Sequence, residues 1–444
     1  MKIEFLGASG GEVTGSNYLV TLDDTNQILV DFGMFQGRPE IEKHNFEPLS
    51  FNPSTLQAVF LTHAHLDHCG RLPLLVFGGF KGKIYMTKPT ASLVQIILED
   101  AARIAEKDRD KSPLYTTDEV WKTIKMIEIV SYDHPILLKS LKAEFKDAGH
   151  ILGSSSIKIT DNESKKSIIF SGDLGNSPQS IVKPTDYFDN ADAVVMESTY
   201  GDSSHPKENP AKIIQEEINE IENKPGTLLI PAFALERTQE ILHIINHLKK
   251  DKKVHPDTKV FLDSPMGIDA TTVYLDFKDF YNEELQSHIE IPFNFEGAIV
   301  TSESKDSKNI LHEPDPKVII AGSGMMSGGR ILRHATTFLP RSSTRILFVG
   351  YQSEETIGRK ILEGAKNVRI EKQSVTVRAH IREIKALSSH ADQPKLITWL
   401  EHIATAKKVY LTHGELPQQH ALQKKISKAG LEIFLPKMSE VFEI

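Results

Sequence analysis

A cluster of candidate metal ligands directly after an apolar run places the strongest constraint on how this chain can fold. Residues 57–61 read QAVFL and residues 62–68 read THAHLDH. The run predicts a buried strand, and the cluster at its end consists of His63, His65, Asp67 and His68. Burying unpaired imidazole and carboxylate groups is costly unless something compensates for their lost solvation. A bound cation is the simplest compensation, so this strand is expected to end at a metal site.

The order of residue types in this cluster favours zinc. Neutral imidazole nitrogens are common zinc ligands, and a carboxylate adds charge and a harder oxygen. Residues two apart in an extended turn can point to the same side, so His63 and His65 are expected to bind one ion. Asp67 and His68 lie further around the turn and are predicted to reach a second ion. The alternative is a polar loop with accidental histidines, which four ligands in this order disfavour.

Further candidate ligands stand beside glycine elsewhere in the chain. His150 lies in the segment DAGHILGS, Asp173 in IIFSGDLG and His413 in VYLTHGE. The last two follow β-type apolar runs directly, and glycine lets backbone and metal approach closely. Because functional side chains collect at strand ends in layered α/β folds, these three are expected to complete the site.

These residues together resemble the metallo-β-lactamase fold family. That family carries an early Asp, then His-x-His-x-Asp-His, then a His, an Asp and a late His. The matching positions here are Asp31, His63, His65, Asp67, His68, His150, Asp173 and His413. More narrowly, the chain is similar to the β-CASP nucleases, which include the endonuclease subunit of the cleavage and polyadenylation specificity factor and its prokaryotic relatives. The family's motifs A, B and C match Glu197, His390 and His413.

The resemblance implies an α/β fold in which a metallo-β-lactamase αββα sandwich carries an inserted β-CASP domain, a parallel sheet flanked by helices. Residues 1–201 and 389–444 are expected to form the sandwich, and residues 202–388 the insert. The spacing supports an insertion independently, because Asp173 and His413 are 240 positions apart and can share one site only across a domain-sized segment. A domain inserted at an active site usually covers it or selects substrates, which favours cleavage of a polymer.

Apolar periodicity gives a coarse secondary structure. Strands are predicted at residues 2–6, 17–22, 27–31, 57–61, 154–160 and 167–171, and helices near 89–108 and 117–127. From residue 208 strands and helices alternate, which is typical of a parallel sheet covered by helices. The polar stretch from Thr301 to Lys308 is predicted to be an exposed, mobile loop.

The implied chemistry is hydrolysis of RNA phosphodiester bonds by two zinc ions, with endonuclease and 5′–3′ exonuclease action both left open. Two cations about 3.5–4 Å apart stabilise negative charge on the phosphoryl oxygens during an in-line displacement. The first ion is assigned to His63, His65 and His150, the second to Asp67, His68 and His413, and Asp173 is assigned as the bridge. Asp31 is expected behind the ligands, where it accepts a hydrogen bond that fixes their orientation.

The departing oxygen also needs a proton. In the family, the histidine of motif B and the glutamate of motif A form a pair, which assigns the general acid to His390 and its orientation to Glu197. Asp67 is assigned to catalysis as well as to metal binding. From the residues alone, a structural histidine at position 390 is the alternative.

A glycine-rich segment within the expected insert is predicted to contact RNA phosphate. Residues 321–330, AGSGMMSGGR, follow a short apolar run and precede a helical pattern. Glycine frees backbone N–H groups to face an anion at a helix start. The predicted contacts are Ser323, Gly324, Ser327, Gly328, Gly329 and Arg330, with weaker candidates at Arg237 and Ser264. A turn that only connects two elements is the alternative.

The distribution of charge agrees with an anionic substrate, although the net charge is −8. Residues 317–388 contain thirteen Lys or Arg, five Glu and no Asp, a balance of +8. Affinity for a phosphate backbone comes mainly from such basic residues. The alternative is a solvated basic face without a partner.

Composition points to a cytoplasmic protein without membrane contact. No apolar stretch reaches the length of a membrane span, and no signal peptide is expected before the first strand. The single cysteine, Cys69, excludes an intrachain disulfide and is expected to be a spectator beside the ligands.

Three other functions compete with RNA hydrolysis. They are a small-ester or thioester metallohydrolase of the same fold, a DNA nuclease, and a non-catalytic RNA-binding scaffold. In the family's DNA branch motif C is usually not histidine, so His413 favours RNA. The complete set of ligands disfavours a silent scaffold. A homodimer and a partner in a processing complex are both left open.

Overall fold

The structure, a computed structural model, describes residues 1–23, 26–107, 112–287, 292–427 and 430–444. The chain divides into two compact units. The first comprises Met1–Ser204, Phe280–Asn282 and His390–Ile444, and the second comprises His205–Asp279 and Glu283–Ser389. The functional domain boundaries expected at residues 201–202 and 388–389 stay a prediction. No described helix is both long enough and apolar enough to cross a bilayer.

The first unit begins with eleven described strands and five described α-helices that precede the second unit. The strands are β1 (Lys2–Gly7), β2 (Asn17–Asp23), β3 (Asn26–Phe32), β4 (Leu56–Phe60), β5 (Lys83–Thr87), β6 (Ile127–Val130), β7 (Ile136–Leu137), β8 (Leu141–Asp147), β9 (Ser155–Asp161), β10 (Ser167–Phe170) and β11 (Ala193–Glu197). The helices are α1 (Pro39–Glu42), α2 (Leu66–Cys69), α3 (Leu72–Phe77), α4 (Lys88–Lys107) and α5 (Thr117–Ile124).

The chain then forms the second unit and afterwards returns to the first unit. The strands of the second unit are β12 (Thr227–Pro231), β13 (Lys259–Leu262), β14 (Ala298–Val300), β15 (Lys317–Ala321), β16 (Arg345–Phe348), β17 (Asn367–Ile370), β18 (Gln373–Thr376) and β19 (His380–Glu383). Its helices are α6 (Pro210–Asn223), α7 (Arg237–Lys250), α8 (Pro265–Asp276), α9 (Glu283–Ser287), α10 (Ser304–Asn309), α11 (Arg330–Phe338) and α12 (Ile357–Leu362). The returning chain forms α13 (Gln393–Glu401), β20 (Lys408–Thr412), α14 (Leu416–Ile426), β21 (Glu432–Phe434) and β22 (Glu440–Glu443).

The first unit is a sandwich of two sheets with helices on its outer faces. One sheet has the order β22-β1-β2-β3-β4-β5-β6 and the other β21-β20-β11-β10-β9-β8-β7. Alternate residues of both sheets, such as Val30 of β3 and Phe145 of β8, form one buried apolar cluster between them. On the outer face of the second sheet, Met196 packs with Trp399 of α13 and Leu422 of α14. Helix α4 covers β5 and β6 of the first sheet.

Three neighbouring strands of the second sheet run parallel and carry candidate site residues at or just beyond their carboxyl ends. Strand β11 pairs in parallel with β10 on one side and with β20 on the other. Asp173 lies three residues after β10, Glu197 ends β11, and His413 directly follows β20. Since parallel strands end at the same edge of a sheet, the topology brings these three residues together despite their distance in sequence.

The second unit contains a parallel sheet in the order β14-β13-β15-β12-β16-β19. Its central strands β12, β13 and β15 are nearly continuously apolar, as the buried VIIA of β15 illustrates, because helices cover both faces of such sheets. Helix α11 packs Ile331 and Phe338 into the same apolar cluster as Ile319 of β15. Strands β17 and β18 form a separate antiparallel hairpin.

Some local expectations were wrong. The helix predicted near 117–127 ends at Ile124, and Ile127 begins β6. The stretch Thr301 to Lys308, predicted as an exposed loop, includes most of α10, and Ser307 within it is fully buried. The hydroxyls of Thr301 and Ser307 donate hydrogen bonds of 2.8 and 2.6 Å to buried Asp263, which explains why polar residues are stable there. The last residue of the helix predicted near 89–108 lies outside the described residues.

A buried ion-pair network in the second unit yields a stability prediction. Glu217 of α6 is fully buried and accepts hydrogen bonds from Arg345 at 2.6 and 3.0 Å and from Arg382 at 3.1 Å. Removing one member of such a network leaves buried charge uncompensated, which costs about 3–5 kcal/mol. We expect Glu217→Gln to lower the unfolding free energy of this unit by that amount, measured by urea titration.

The matched control for this prediction is Glu216→Gln on the same helix. Glu216 pairs with Arg382 at 2.9 Å, but its side chain is 44% exposed. Exposed pairs contribute about 0–1 kcal/mol. Equal, small losses for both variants would show that the Glu217 network is not what stabilises the packing of α6 against β16 and β19.

Candidate metal centre

The structure brings all seven predicted ligands into one buried cluster in the first unit. His63 and His65 lie on the segment between β4 and α2, and Asp67 and His68 lie on α2. The others follow strands of the second sheet, His150 after β8, Asp173 after β10 and His413 after β20. Their ligand atoms form overlapping groups in which every atom lies within 4.8 Å of the others. Their roles as ligands stay predictions, but the gathering they require is present.

The first group consists of three histidines around one carboxylate oxygen. His65 Nδ1 lies 3.1 Å from His63 Nε2 and 3.2 Å from His150 Nε2. Asp173 Oδ2 lies 3.4 Å from His63 Nε2 and 3.5 Å from His150 Nε2. Four ligand atoms of the types that zinc prefers therefore surround one point.

The second group uses the other oxygen of the same carboxylate. Asp173 Oδ1 lies 3.3 Å from His68 Nε2 and 3.6 Å from His413 Nε2. Asp67 Oδ2 lies 3.4 Å from His413 Nε2. Asp173 thus directs one oxygen to each group, which is the arrangement expected of a carboxylate that bridges two cations.

The spacing of these atoms fits zinc better than it fits hydrogen bonds. In a tetrahedral site, zinc–nitrogen bonds of about 2.0–2.1 Å place neighbouring ligand atoms about 3.3–3.4 Å apart. The separations of 3.1–3.6 Å in the two groups cluster around that value. Asp173 Oδ1 is buried and accepts no hydrogen bond from any described residue. Because a buried carboxylate oxygen needs a partner, a cation is the group that these residues fit.

The first group presents neutral imidazoles. Burial lowers the pKa of His63 to about 3 and that of His65 to about 4, and it holds the pKa of His150 well below its usual value. All three rings are therefore unprotonated at neutral pH, when their lone pairs are available. Zinc binds imidazole in this form.

In the second group, the positive charge of a protonated histidine stands in for that of a metal cation and balances the nearby carboxylates. Burial disfavours the charged form of His68, but the carboxylates of Asp173 and Asp31 outweigh it and hold the pKa of His68 well above its usual value. Burial likewise raises the pKa of Asp173, yet His413 and His68 outweigh it and hold that pKa well below the usual range. Binding of a metal here would release a proton, because a ligand imidazole must be neutral.

Asp31 lies behind the predicted ligands, and its role in support of a metal site stays a prediction. Its Oδ2 lies 2.8 Å from His68 Nδ1 and accepts a hydrogen bond of 2.8 Å from the Thr62 hydroxyl. Its Oδ1 accepts the Thr62 backbone N–H at 2.8 Å. The Thr62 hydroxyl also lies 3.0 Å from His63 Nδ1. One carboxylate thereby orients two of the predicted ligands and the turn between them.

Backbone strain occurs at two positions of the site. Asp31 has φ +57° and His413 has φ +50°, the left-handed region that non-glycine residues seldom adopt. Each costs about 1–3 kcal/mol and persists only where surrounding contacts impose it. For His413 one such contact is its backbone N–H, which donates to the carbonyl of Ala8 at 2.8 Å.

His390 and Glu197 form a pair at the edge of the cluster. His390 Nδ1 lies 3.3 Å from Glu197 Oε1 and 3.9 Å from Asp173 Oδ2. Glu197 Oε1 is itself anchored, because it accepts the Leu174 N–H at 2.7 Å. Burial lowers the pKa of His390, but Glu197 and the other carboxylates outweigh it and raise that pKa to about 9. His390 is therefore protonated at neutral pH, as a general acid must be.

The predicted RNA-contacting residues all lie in the second unit, and several of their side chains are engaged within it. Arg330 Nη1 donates to Asp263 at 2.8 Å and to the carbonyl of Thr301 at 2.8 Å. Arg237 is 4% exposed and pairs with Glu240. Both guanidinium groups are therefore paired with carboxylates of the second unit in this conformation.

The glycine-rich segment, residues 321–330, is stabilised by the side-chain hydroxyl of Ser323. Ser323 Oγ accepts the N–H groups of Ser327 at 3.0 Å and Gly328 at 3.2 Å. Gly329 has φ +75°, and a Cβ there would lie 2.3 Å from the Gly322 carbonyl, so glycine is required. Ser264 caps α8 through the Gly267 N–H at 3.2 Å. Phosphate contact by Ser323, Gly324, Ser327, Gly328, Gly329, Arg330, Arg237 and Ser264 stays a prediction.

Sequence reasoning missed the threonines that touch ligand imidazoles. Thr62 directly precedes His63, and Thr199 Oγ1 lies 3.1 Å from His413 Nδ1. Position beside a ligand was an available signal for Thr62, whereas Thr199 is 214 positions from its histidine. Cys69 is buried and donates a hydrogen bond to the Ala64 carbonyl at 3.3 Å, consistent with a spectator.

Comparison with known proteins identifies three domains along the chain. A model of the metallo-beta-lactamase superfamily matches residues 10–203, a model of the Beta-Casp domain matches residues 238–361, and a model of the Zn-dependent metallo-hydrolase RNA specificity domain matches residues 374–436. The predicted fold class, a metallo-β-lactamase sandwich with an inserted β-CASP domain, is confirmed.

Full-length relatives agree with this assignment. The chain is 35% identical to Ribonuclease TTHA0252 of Thermus thermophilus, with 99% of each chain covered. It is 31% identical to an RNase J-like protein of Methanocaldococcus jannaschii, with 94% of each chain covered. A protein of unknown function from Enterococcus faecalis V583 shares the fold, with a TM-score of 0.56, 14% identity and 99% of each chain covered. The chain belongs to the β-CASP family of metallo-β-lactamase-fold hydrolases.

Proposed function

We propose that this protein hydrolyses RNA phosphodiester bonds with two zinc ions held by the clustered histidines and aspartates. The observation that carries the proposal is Asp173, whose two carboxylate oxygens face two separate groups of ligand atoms. A metal-dependent hydrolase is what the family implies, and a relative with 35% identity over the full length is named a ribonuclease. RNA as the substrate also agrees with the basic balance of residues 317–388.

The bound ions would activate water and neutralise negative charge on the phosphoryl oxygens. The chain itself supplies the geometry. His63, His65 and His150 would hold one ion, Asp67, His68 and His413 the other, and Asp173 would fix the distance between them. Because most of these groups are buried and the contacts of Asp31 and Thr62 orient His63 and His68, the site is organised before substrate arrives.

The His390–Glu197 pair supplies the proton that the departing oxygen needs. His390 remains 21% exposed on its side chain, so its ring can reach a substrate, while Glu197 behind it is 1% exposed. Glu197 accepts the Leu174 N–H at 2.7 Å and the Thr199 N–H at 3.3 Å, which fixes its carboxylate. A fixed carboxylate keeps the imidazolium oriented and charged until it donates its proton.

The proposal is tested with 5′-labelled RNA and DNA of the same sequence. Wild-type protein should cleave the RNA, and cleavage should stop under thorough chelation and return with zinc. His65→Ala should be inactive, whereas His420→Ala, an exposed histidine on α14, should retain full activity. Product lengths distinguish internal cleavage from removal of nucleotides from the 5′ end.

Three outcomes of this experiment would contradict the proposal. Retention of RNA cleavage in His65→Ala or under chelation would show that cleavage does not depend on the proposed metal ions. Tight RNA binding without cleavage would indicate a scaffold. Failure to act on RNA together with rapid turnover of small thioesters would indicate a small-molecule hydrolase of the same fold.

A further prediction concerns how RNA is bound. The hairpin β17–β18 and its flanks expose four cations, Lys366, Arg369, Lys372 and Arg378, none of which has an ion-pair partner within the described part of the chain. For single strands, the slope of log K against log salt decreases by about 0.7 for each phosphate that the protein no longer neutralises. We expect Arg369→Gln with Lys372→Gln to reduce that slope accordingly, measured by RNA binding across a salt series.

The control for this prediction replaces two other exposed lysines of the second unit, Lys224 and Lys252. It changes net charge equally and should leave the slope close to that of the wild type. Equal slopes for the wild type and both double variants would exclude the hairpin as an RNA-binding surface.

A further inference from the structure

Thr199 occupies a position that connects the candidate metal centre with the loop after β11. It lies two residues beyond Glu197, and β11 runs parallel to β20 with Glu197 opposite Thr412. Beyond the strand ends, the Ser198 N–H donates to the His413 carbonyl at 3.3 Å, and the Ser198 hydroxyl donates to the Thr412 carbonyl at 2.6 Å. The two loops are therefore held in register, and Thr199 faces His413.

The Thr199 hydroxyl makes two contacts with the same histidine. Its Oγ1 lies 3.1 Å from the His413 carbonyl oxygen and 3.1 Å from His413 Nδ1. A hydroxyl has one proton, and a carbonyl oxygen can only accept. When the proton of Thr199 points to the carbonyl, only lone pairs remain for Nδ1, so Nδ1 must be the protonated nitrogen. In the neutral form of His413, which is the form that binds a metal, Nε2 is then unprotonated, and it is the atom that faces Asp67 at 3.4 Å and Asp173 at 3.6 Å.

The same arrangement recurs at another ligand of the cluster. The Thr62 hydroxyl lies 3.0 Å from His63 Nδ1, and its own proton is directed to Asp31 Oδ2 at 2.8 Å. Here too an acceptor-only group takes the hydroxyl proton and leaves the threonine to accept Nδ1–H. In both cases Nε2 is left with its lone pair, directed towards Asp173. Two independent threonines are thus placed where they favour the tautomer that a metal ligand needs.

We propose that Thr199 is a positioning residue that selects the metal-binding tautomer of His413 and thereby sets the affinity of the ion held by Asp67, His68 and His413. The proposal rests on the proposed function, because it assumes that this group binds an ion. Hydrogen bonds behind ligands typically change metal affinity by about 10–100-fold. The hydrogen bonds of Thr199 go to Glu197 and His413 and not to His63, His65 or His150, so the affinity of an ion held by those three histidines should not change.

The test measures zinc affinity rather than activity. Competition titration with a chromogenic chelator should give two dissociation constants per wild-type chain. In Thr199→Val, which removes the hydroxyl and keeps the shape, one constant should weaken by about 10–100-fold and the other should stay unchanged. Thr199→Ser restores the hydroxyl and should restore both constants. Thr398→Val, an exposed threonine on α13, serves as the matched control and should behave as the wild type.

A second measurement probes the wild-type protein directly. Nitrogen-15 NMR of histidine-labelled, zinc-free wild-type protein reports which ring nitrogen of His413 carries the proton, with the signal assigned by its loss in His413→Gln. Protonated Nδ1 supports the proposal, and protonated Nε2 in neutral His413 overturns it. Unchanged zinc constants in Thr199→Val, or weakened constants in Thr199→Ser, also overturn it. A wild-type chain that binds no zinc would instead refute the proposed function itself.

Discussion

Asp173→Asn is expected to reduce kcat for RNA cleavage by at least about 10³-fold and to remove zinc from the protein. Asparagine keeps the size of the side chain but removes the charge and one of the two anionic oxygens that face the ligand groups. A site that stabilises several kcal/mol of transition-state charge loses about a factor of ten in rate for each 1.4 kcal/mol removed. Single-turnover cleavage of labelled RNA and zinc content by mass spectrometry measure the two effects.

The control for Asp173→Asn is Asp118→Asn, which changes the same charge on an exposed helix. Asp118 is 71% exposed and pairs with Lys122 on α5. It should leave both the rate and the zinc content unchanged. An Asp173→Asn protein that keeps two zinc ions and cleaves RNA within tenfold of the wild type would show that this carboxylate does not bridge the site.

His390→Ala is expected to reduce kcat by about 10²–10⁴-fold while zinc content stays at the wild-type level. This range is typical for the loss of a general acid. The loss should depend on the substrate, since only a poor leaving group needs the proton. If the bridging oxygen that departs in the reaction is replaced by sulfur, the resulting thiolate leaves readily without protonation, so His390→Ala should cleave this RNA nearly as fast as the wild type does.

The sulfur-containing substrate also separates the two roles assigned to the cluster. Asp173→Asn should remain inactive on it, because zinc chemistry is needed whatever the leaving group. If His390→Ala loses the same factor on both substrates, His390 does not act as the acid. If it loses zinc as well, its role is structural.

The gathering of the candidate ligands was largely predictable because each of them stands in a recognisable local pattern. Each ligand is marked by its own residue type beside a strand end or a glycine, and residues 62–68 contribute four of them in one turn. Topology then follows from the physical rule that parallel strands end at one edge of a sheet. The assignment of His390 and Glu197 came only from resemblance to a family, since neither residue stands in a distinctive local pattern.

What the sequence could not predict depends on partners distant along the chain. Arg330, for which phosphate contact stays a prediction, pairs with Asp263, a partner 67 positions away that no local pattern indicates. The stretch after Thr301 was predicted to be a loop because hydrophobic periodicity detects only apolar residues. It does not detect the hydroxyls of Thr301 and Ser307, which are stable there because they donate hydrogen bonds to the buried carboxylate of Asp263. Strand β8 was missed although Leu141, Ala143 and Phe145 alternate with charged residues, because the run is less apolar than its neighbours.

The catalytic roles assigned above all depend on the proposal that Asp173 bridges two zinc ions held by segments distant in sequence. Crystallographic anomalous diffraction at the zinc edge, on protein loaded with zinc, would locate them. We expect two peaks about 3.5–4 Å apart, one next to His63, His65 and His150, the other next to Asp67, His68 and His413, with Asp173 contacting both. A single peak, or peaks bound by other residues, would contradict this arrangement.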